Sequence, residues 1–189
     1  MVDPLRLIVG ISGASGVIYG IRLLEVLRST AVETHLVMSK AAEMTISYET
    51  ERKTSEVKKL ADVSYPVGDV GASISSGSFR TEGMIIAPCS VRTMSEIASG
   101  VTSTLLTRAA DVVLKERRRL VLLLRETPLH AGHLRTMLRV TEMGAVVMPP
   151  VPAFYVRPSN IDEMVLQTLG RALDLFGIDA GIVRRWGEK

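Results

Sequence analysis

The sequence predicts one α/β domain of the three-layer Rossmann or flavodoxin-like type, with helices on both faces of a parallel sheet. Apolar, β-branched runs alternate along the chain with longer amphipathic segments, which is typical of βαβ units. The candidate strands are almost continuously apolar, as in Leu120 to Leu124, which a strand buried on both faces requires. The length of 189 residues fits a single domain over residues 1–189, since no linker or internal repeat divides it.

Five segments are predicted to be strands because each is a short apolar run that ends in turn residues or in an amphipathic segment. The first leads directly into a turn that is rich in glycine and serine, and the fourth is the most apolar of the five. In chain order the predicted strands are Leu5 to Ile11, Val32 to Met38, Gly83 to Ala87, Leu120 to Leu124 and Ala145 to Met148.

Six segments are predicted to be helices because apolar residues recur in them at helical spacing. They cover residues 17–29, 40–50, 91–99, 103–118, 130–143 and 160–176. The segment from Ser64 to Thr81 is rich in Gly, Ser and Asp. It is therefore predicted to be an irregular insert and is a candidate cover for a ligand.

The composition narrows the classes of function. The net charge of +3 and the small number of aromatic residues favour small anionic ligands over nucleic acid. No apolar run is long enough to cross a bilayer, and no signal peptide precedes the first strand, so we expect a cytoplasmic protein. The one cysteine and three histidines form no metal-binding pattern. The hydrophobic content of 47% predicts that subunits associate.

The turn from Gly10 to Gly16 combines glycines with the hydroxyls of Ser12 and Ser15 at a strand-to-helix junction. Glycine lets the backbone approach a ligand closely, and the first amides of a helix attract anions. The glycine spacing matches neither the dinucleotide fingerprint nor a Walker A loop, which has a lysine after its last glycine. The turn is either a phosphate site of a mononucleotide, with both serines as donors, or a tight turn without a ligand.

Polar residues also follow the next predicted strands. Ser39 and Lys40 follow the second, the stretch from Pro88 to Thr93 follows the third, and Arg125 with Glu126 follows the fourth. Carboxyl ends of parallel strands meet at one edge of a sheet, where ligands of such folds bind. The sequence therefore predicts one binding site at this edge, although Ser and Thr also occur there as helix caps.

Three further residues could take part in chemistry. Arg108 and Lys115 lie seven residues apart, so they share one face of a helix and could hold a phosphate. Asp111 lies on the same face, and a structural ion pair is the alternative. Glu126 follows an apolar strand and could shuttle protons, but the neighbouring Arg125 lowers the pKa of a carboxylate that burial would raise.

These motifs, taken together, resemble the UbiX/Pad1 flavin prenyltransferases over nearly the whole chain. The matching stretches are residues 12–16, 38–41, 88–90, 108–112 with 115–116, 125–128 and 152–155. The resemblance implies a homo-oligomer, usually a dodecamer, of flavodoxin-like subunits with FMN at the subunit interfaces. It also implies the metal-free transfer of a dimethylallyl group from dimethylallyl monophosphate to N5 and C6 of reduced FMN. The product would serve a UbiD-type decarboxylase.

The resemblance also implies roles for individual residues. The positions that match flavin-binding residues are Gly13, Ala14, Ser15, Ser39, Ser90, Val91, Arg92, Thr93 and Arg125. The positions that match the prenyl-phosphate pocket are Glu49, Arg108, Lys115, Tyr155 and Arg171, with Trp186 as a residue that closes it. Cations and a phenol would stabilise the departing phosphate. Glu126 would move protons with the assistance of Ser15, so Ser15, Glu126, Lys115 and Arg108 are the candidate catalytic residues.

The sequence departs from the family pattern at two places. Ser103 and Thr104 stand where many relatives have an acidic residue or asparagine followed by asparagine, and Thr136 stands where asparagine is usual. The nearest alternative function is a flavin-dependent cysteine decarboxylase, but no histidine occurs between His35 and His130, where that class has one. A non-catalytic FMN carrier is the other alternative, and it would not need the charged residues of the prenyl-phosphate pocket.

Overall fold

The computed structural model describes residues 5–187, which form a three-layer α/β fold of the predicted Rossmann or flavodoxin-like class. All paired strands of its six-stranded sheet are parallel, and the order across the sheet is β3-β2-β1-β4-β5-β6. The strands are β1 (Leu5–Ile11), β2 (Val32–Met38), β3 (Val63–Tyr65), β4 (Gly83–Cys89), β5 (Arg119–Leu124) and β6 (Ala145–Val147).

Seven α-helices accompany the strands within the described residues. They are α1 (Ile18–Leu27), α2 (Lys40–Glu49), α3 (Thr54–Lys58), α4 (Val91–Ala98), α5 (Leu105–Lys115), α6 (Ala131–Glu142) and α7 (Ile161–Asp174). Two short 3-10 helices lie at Ser73–Ser75 and Phe154–Val156. None of the helices in residues 5–187 has the length and apolarity that a membrane crossing requires.

The apolar side chains of the central strands divide between two cores. Alternate strand residues such as Val9 and Ile85 pack against α1, α2, α3 and α7 on one face. Their neighbours, such as Ile8 and Ile86, pack against α4, α5 and α6 on the other face. Because successive side chains of a strand point to opposite faces, both faces are covered, as the continuous apolar runs predicted.

All five predicted strands and all six predicted helices are present, with ends that shift by up to three residues. The short elements α3 and β3 were not predicted. β3 has only three residues, and none of them is fully buried, so its sequence has no continuous apolar run. Its parallel pairing with β2 decides its structure. The predicted insert therefore contains most of an edge strand and a 3-10 turn as well as irregular chain.

Candidate active site

The largest cavity relevant to the prediction opens at the carboxyl edge of the sheet. β1 lies between β2 and β4, so the connections that leave β1 and β4 diverge, and a crevice forms where they part. This main cavity has a volume of about 750 Å³, within the range of about 300–1,000 Å³ that is usual for ligand sites. It is lined by Gly13–Ser15, Ser39–Ala41, Val67, Gly68, Ser90–Thr93, Glu96, Ser103, Thr104, Leu106, Arg125 and Glu126.

Ser12 does not face the main cavity, contrary to its predicted use as a donor to a phosphate. Its side chain is fully buried, and its Oγ donates to the Pro88 carbonyl at 2.9 Å and accepts from the Ser90 N–H at 2.8 Å. Ser12 therefore joins the end of β1 to the end of β4. Ser15 is exposed and lines the main cavity, so it is the hydroxyl of this turn that a ligand can reach.

Close backbone packing explains the glycine at position 13. A Cβ added to Gly13 would lie 2.3 Å from the Cβ of Ala41 and 3.1 Å from its carbonyl carbon, which is closer than side chains can approach. The turn after β1 can therefore lie directly against the first turn of α2. This contact leaves room for a ligand between the turns that follow β1, β2 and β4.

Two helices begin at the main cavity with serine caps. Ser39 Oγ accepts from the Ala42 N–H at 3.0 Å, and Ser90 Oγ accepts from the Thr93 N–H at 3.2 Å. The Ser90 hydroxyl also donates to Thr93 Oγ1 at 3.1 Å. Among residues 5–187 no acceptor binds the Ser39 hydroxyl proton, so that proton is available to an anionic ligand near the positive end of α2.

Three cations line the same cavity. Arg92 pairs with Glu96 at 2.9 Å, whereas Lys40 and Arg125 form no ion pair with any carboxylate in the part of the chain that the structure describes. The residues present therefore fit an anionic flavin mononucleotide: small residues allow close approach, hydroxyls and helix ends face the phosphate, and cations balance its charge. Lys40 was not predicted as a site residue, although its place directly after β2 indicated it.

A side cavity of about 400 Å³ adjoins the main cavity. It is lined by Ser15, Gly16, Tyr19, Leu124–Thr127 and Pro149–Val151. Ser15, Arg125 and Glu126 line both cavities. A hydroxyl, a guanidinium and a carboxylate are therefore available at once to ligands in the two neighbouring cavities.

The groups at this junction are suited to proton transfer. Glu126 is half-buried, and its Oε1 accepts from the Thr127 N–H at 3.0 Å, which leaves its second oxygen free for a ligand. Tyr19 lines the side cavity; burial raises the pKa of its phenol above the usual value, and a hydrogen bond with Thr168 acts in the opposite direction. Tyr19 was not predicted, because an aromatic residue on α1 resembles an ordinary core residue.

None of the six residues predicted for the prenyl-phosphate pocket lines either cavity. Glu49 lies nearest to the junction: its Oε2 accepts from the Gly16 N–H at 2.8 Å and the Val17 N–H at 3.1 Å. In this position it stabilises the first turn of α1. These contacts place Glu49 against Gly16, the residue that follows Ser15 in the chain.

Arg108 and Lys115 lie on α5, which packs on the face of the sheet that also carries α4 and α6. Arg108 pairs with Asp111 at 2.9 Å and donates to the Ser75 carbonyl at 3.3 Å. Lys115 pairs with Glu116 at 2.6 Å, and this ion pair lowers the pKa of the Glu116 carboxyl. Within one chain, the ion-paired alternative is therefore what the structure shows for Arg108.

Arg171 and the two aromatic residues belong to the opposite face. Arg171 pairs at 2.6 Å with Asp174, whose pKa is lowered mainly by its hydrogen bond with Arg185. Tyr155 contacts Trp186 edge to face, with ring centroids 5.4 Å apart. Trp186 is 81% exposed. A single chain therefore does not bring the predicted prenyl-phosphate residues together.

Cys89 lies in the core, and Thr104 and Thr136, at which the sequence departs from the family pattern, form local hydrogen bonds at the start of α5 and within α6. Cys89 is fully buried, which raises the pKa of its thiol to about 12, so it is a small core residue and not a reactive thiolate. Thr104 caps α5 by accepting from the Thr107 N–H at 3.3 Å. Thr136 donates to the Gly132 carbonyl at 3.0 Å. Among residues 5–187 no group of His, Cys, Asp or Glu could hold a metal ion.

Comparisons with known proteins agree on one family. The model of the family described as Flavoprotein matches residues 1–169. The chain is 63% identical over 174 residues to the flavin prenyltransferase UbiX of Escherichia coli strain K12, covering 92% of each chain. A crystal structure of AnUbiX (PadA1) in complex with FMN and dimethylallyl pyrophosphate matches with a TM-score of 0.97 and 52% identity, over 99% of this chain and 100% of that one. A dodecameric FMN-dependent UbiX-like decarboxylase from Escherichia coli O157:H7 matches with a TM-score of 0.95 and 49% identity, over 97% and 100% of the two chains.

Proposed function

The chain belongs to the UbiX/Pad1 family of flavin prenyltransferases, and on that premise we propose that it transfers a dimethylallyl group from dimethylallyl monophosphate to N5 and C6 of reduced FMN. The observation that carries this proposal is the junction of the two cavities, where Ser15, Arg125 and Glu126 line both. A transferase needs two ligands in contact, and the main cavity and the side cavity supply two adjoining spaces.

In this proposal the main cavity holds the flavin. All nine residues that match flavin-binding positions line it: Gly13, Ala14, Ser15, Ser39, Ser90, Val91, Arg92, Thr93 and Arg125. Reduced FMN supplies the nucleophilic atoms. The chain contributes the close backbone approach at Gly13, the free hydroxyl proton of Ser39 and the positive charge of Lys40 and Arg125, which together hold the phosphate and orient the ring.

The side cavity receives the dimethylallyl group. Breaking the bond between carbon and oxygen leaves charge on the phosphate, which cations and a protonated phenol stabilise. Arg125 and Tyr19 line this cavity. N5 and C6 each lose a proton when the new bonds form; one of these protons goes to the departing phosphate and the other to the former double bond of the dimethylallyl group. Glu126 moves these protons, with Ser15 as the neighbouring hydroxyl.

The remaining residues of the donor pocket require a second copy of the chain. We place Arg108 and Lys115 of one copy and Glu49, Tyr155, Arg171 and Trp186 of another around one donor phosphate. Each of these six residues is at least partly exposed at the surface of the chain. The E. coli O157:H7 relative is dodecameric, and we propose the same assembly here.

We add two further properties to the proposal. The resemblance to the UbiX/Pad1 family implies that a UbiD-type decarboxylase uses the product. A single free cysteine fits a reducing compartment, and we place the reaction in the cytoplasm.

The test is a single-turnover reaction. Purified protein is mixed without oxygen with reduced FMN and dimethylallyl monophosphate, and the mass of the flavin is measured afterwards. We expect one dimethylallyl group to be added per flavin. Unchanged FMN in the presence of tight FMN binding would instead identify a carrier, and loss of carbon dioxide from a cysteine-containing peptide would identify a cysteine decarboxylase. A parallel reaction with dimethylallyl diphosphate measures the preference for the donor.

A further inference from the structure

A cavity of about 500 Å³ lies at the opposite edge of the sheet, where the strands begin. We call it the arginine cavity; its lining residues are Glu82, Arg117, Arg118, Arg119, Gly144, Val146 and Phe176. β4 and β5 begin beside it at Gly83 and Arg119. A strand of six or seven residues spans about 20 Å, so this cavity is separated from the main cavity by the length of the sheet.

The charges of the arginine cavity are unbalanced. The Arg118 guanidinium is held in place, since it donates to the Gly77 carbonyl at 2.6 Å and to the Phe79 carbonyl at 2.7 Å. Arg117 and Arg119 are exposed, and neither forms an ion pair within residues 5–187. Glu82 is the one acidic residue of the lining, against three arginines. Because Arg118 already donates to two backbone carbonyls, Arg117 and Arg119 are the arginines available to an anion. A guanidinium group that is not in an ion pair can bind phosphate through two parallel hydrogen bonds.

Arg117 occupies a left-handed backbone position at the end of α5. Arg117 follows the last turn of α5 with a φ of 58°. Its N–H donates to the Leu114 carbonyl at 3.0 Å, and the Arg118 N–H donates to the Val113 carbonyl at 2.9 Å. Glycine is the usual residue at this point of such a motif, because a side chain strains the left-handed conformation. Here an arginine takes that position, and it lines the cavity.

An apolar wall completes the arginine cavity. Phe176 and Val146 line it, and Phe176 lies so near the start of β4 that a Cβ on Gly83 would be 3.0 Å from its ring. We propose that the arginine cavity binds a phosphate dianion, either free or as the ester of a small organic compound whose body packs on Phe176. Nothing in the proposed prenyl transfer uses this site.

The test compares phosphate binding by variants of the full-length protein. Wild-type protein saturated with FMN is titrated calorimetrically with inorganic phosphate, and the double variant Arg117→Ala/Arg119→Ala is titrated in parallel. We expect the double variant to lose one phosphate equivalent per chain and to keep any phosphate bound at the donor pocket. Equal stoichiometry and affinity in the two proteins would overturn the proposal.

Two single variants separate this site from general charge and from folding. Arg28→Ala removes an exposed arginine at the end of α1, outside the cavity, and should leave the titration unchanged; a loss like that of the double variant would contradict a local site. Arg117→Gly should lower phosphate affinity tenfold or more and also raise the Tm, because glycine relieves the strained φ. Lower phosphate affinity together with a lower Tm would assign Arg117 to folding and overturn its binding role.

The two sources of the phosphate group are distinguished by a second ligand. Phenyl phosphate carries the same dianion on an aromatic ring. If it binds the wild-type protein more tightly than inorganic phosphate, and if that advantage disappears in Phe176→Leu, the ligand is an ester with an apolar body. If the wild-type protein binds the two probes with equal affinity and the double variant binds neither, the site takes the free ion.

Discussion

The two groups of residues assigned to the flavin and to the dimethylallyl donor are distributed very differently. All nine flavin residues line one cavity of a single chain, whereas none of the six donor residues lines it or the adjoining side cavity. The flavin residues follow the strands of one sheet at its carboxyl edge. The donor residues lie on different helices and loops, with Arg108 and Lys115 on α5 and Arg171 on α7, across the sheet.

This difference follows from the topology. Parallel strands bring their carboxyl ends together whenever the sheet forms, so residues that follow the strands meet at one cavity within a single chain. Residues on outward faces of helices on opposite sides of the sheet cannot meet within that chain. They can share a ligand only where two copies pack together, which agrees with the exposed aromatic residues Trp186, Phe154 and Tyr155.

Glu126→Gln tests the residue at the junction of the two cavities and should have the largest effect. The amide cannot accept the proton that prenyl transfer releases, so we expect product formation to slow by about 10²- to 10⁴-fold. FMN affinity should stay unchanged, because the amide occupies the same volume. Stopped-flow absorbance of the flavin measures both. Glu142→Gln, at the end of α6, is the control; a turnover in Glu126→Gln equal to that of this control would remove Glu126 from the mechanism.

Mixing two inactive variants tests whether the donor pocket lies between copies. Lys115→Ala and Arg171→Ala should each reduce kcat/KM about 10- to 150-fold, because each removes a charged hydrogen bond to the phosphate. Chains of the two variants that are dissociated and reassembled together should recover about a quarter of the wild-type activity, since that share of interfaces combines both intact residues.

The matched control for this mixture is Lys115→Ala with Arg108→Ala. Both residues lie on α5, so no interface in that mixture combines an intact pair, and activity should remain low. Recovery in the control, or its absence in the mixture of Lys115→Ala and Arg171→Ala, would contradict the division of the pocket between two copies.

Gly13→Ala tests the half of the site that a single chain builds. The new Cβ would overlap Ala41 and force the turn after β1 away from α2, at a cost of about 1–3 kcal/mol for overpacking. We expect the Kd for FMN, measured by fluorescence quenching, to rise about tenfold or more. Gly71→Ala is the control, because the nearest atom to its Cβ is 3.6 Å away. Equal FMN affinity in the two variants would show that the close approach at Gly13 is not needed.

Ser12→Ala and Ser15→Ala should have the smallest effects of these variants, and the first should change stability whereas the second should change turnover. Ser12→Ala leaves the buried Ser90 N–H without its partner and should lower the free energy of unfolding by about 1–3 kcal/mol. Ser15 is exposed, so Ser15→Ala should change that free energy by less than about 0.5 kcal/mol while it slows prenyl transfer. Denaturant unfolding and turnover are measured on both. A lower free energy of unfolding for Ser15→Ala than for Ser12→Ala would contradict the structural role of Ser12 and the ligand-facing role of Ser15.

The sequence alone was sufficient for the long elements and for the prediction that the residues after the strands gather at one cavity. Strands such as Leu120 to Leu124 were recognised from their continuous apolar runs, and the residues after them lie at one cavity as expected. It was not sufficient for β3, which is held by pairing with β2, nor for Ser12, whose hydroxyl points into the fold. Tyr19 was missed because an aromatic residue on α1 resembles an ordinary core residue, and Lys40 was not predicted as a site residue although it directly follows β2.

What the sequence by itself determined is the order of apolar and polar segments, and with it the parallel sheet and the edge at which the polar turns collect. The spacing of apolar residues within each segment carries that information. Tertiary structure decided which hydroxyl faces a ligand, which cations remain unpaired and which residues meet across two cavities. These features depend on distances between segments far apart in the chain, such as Gly13 against Ala41 and Ser12 between β1 and β4, and no local pattern encodes such distances.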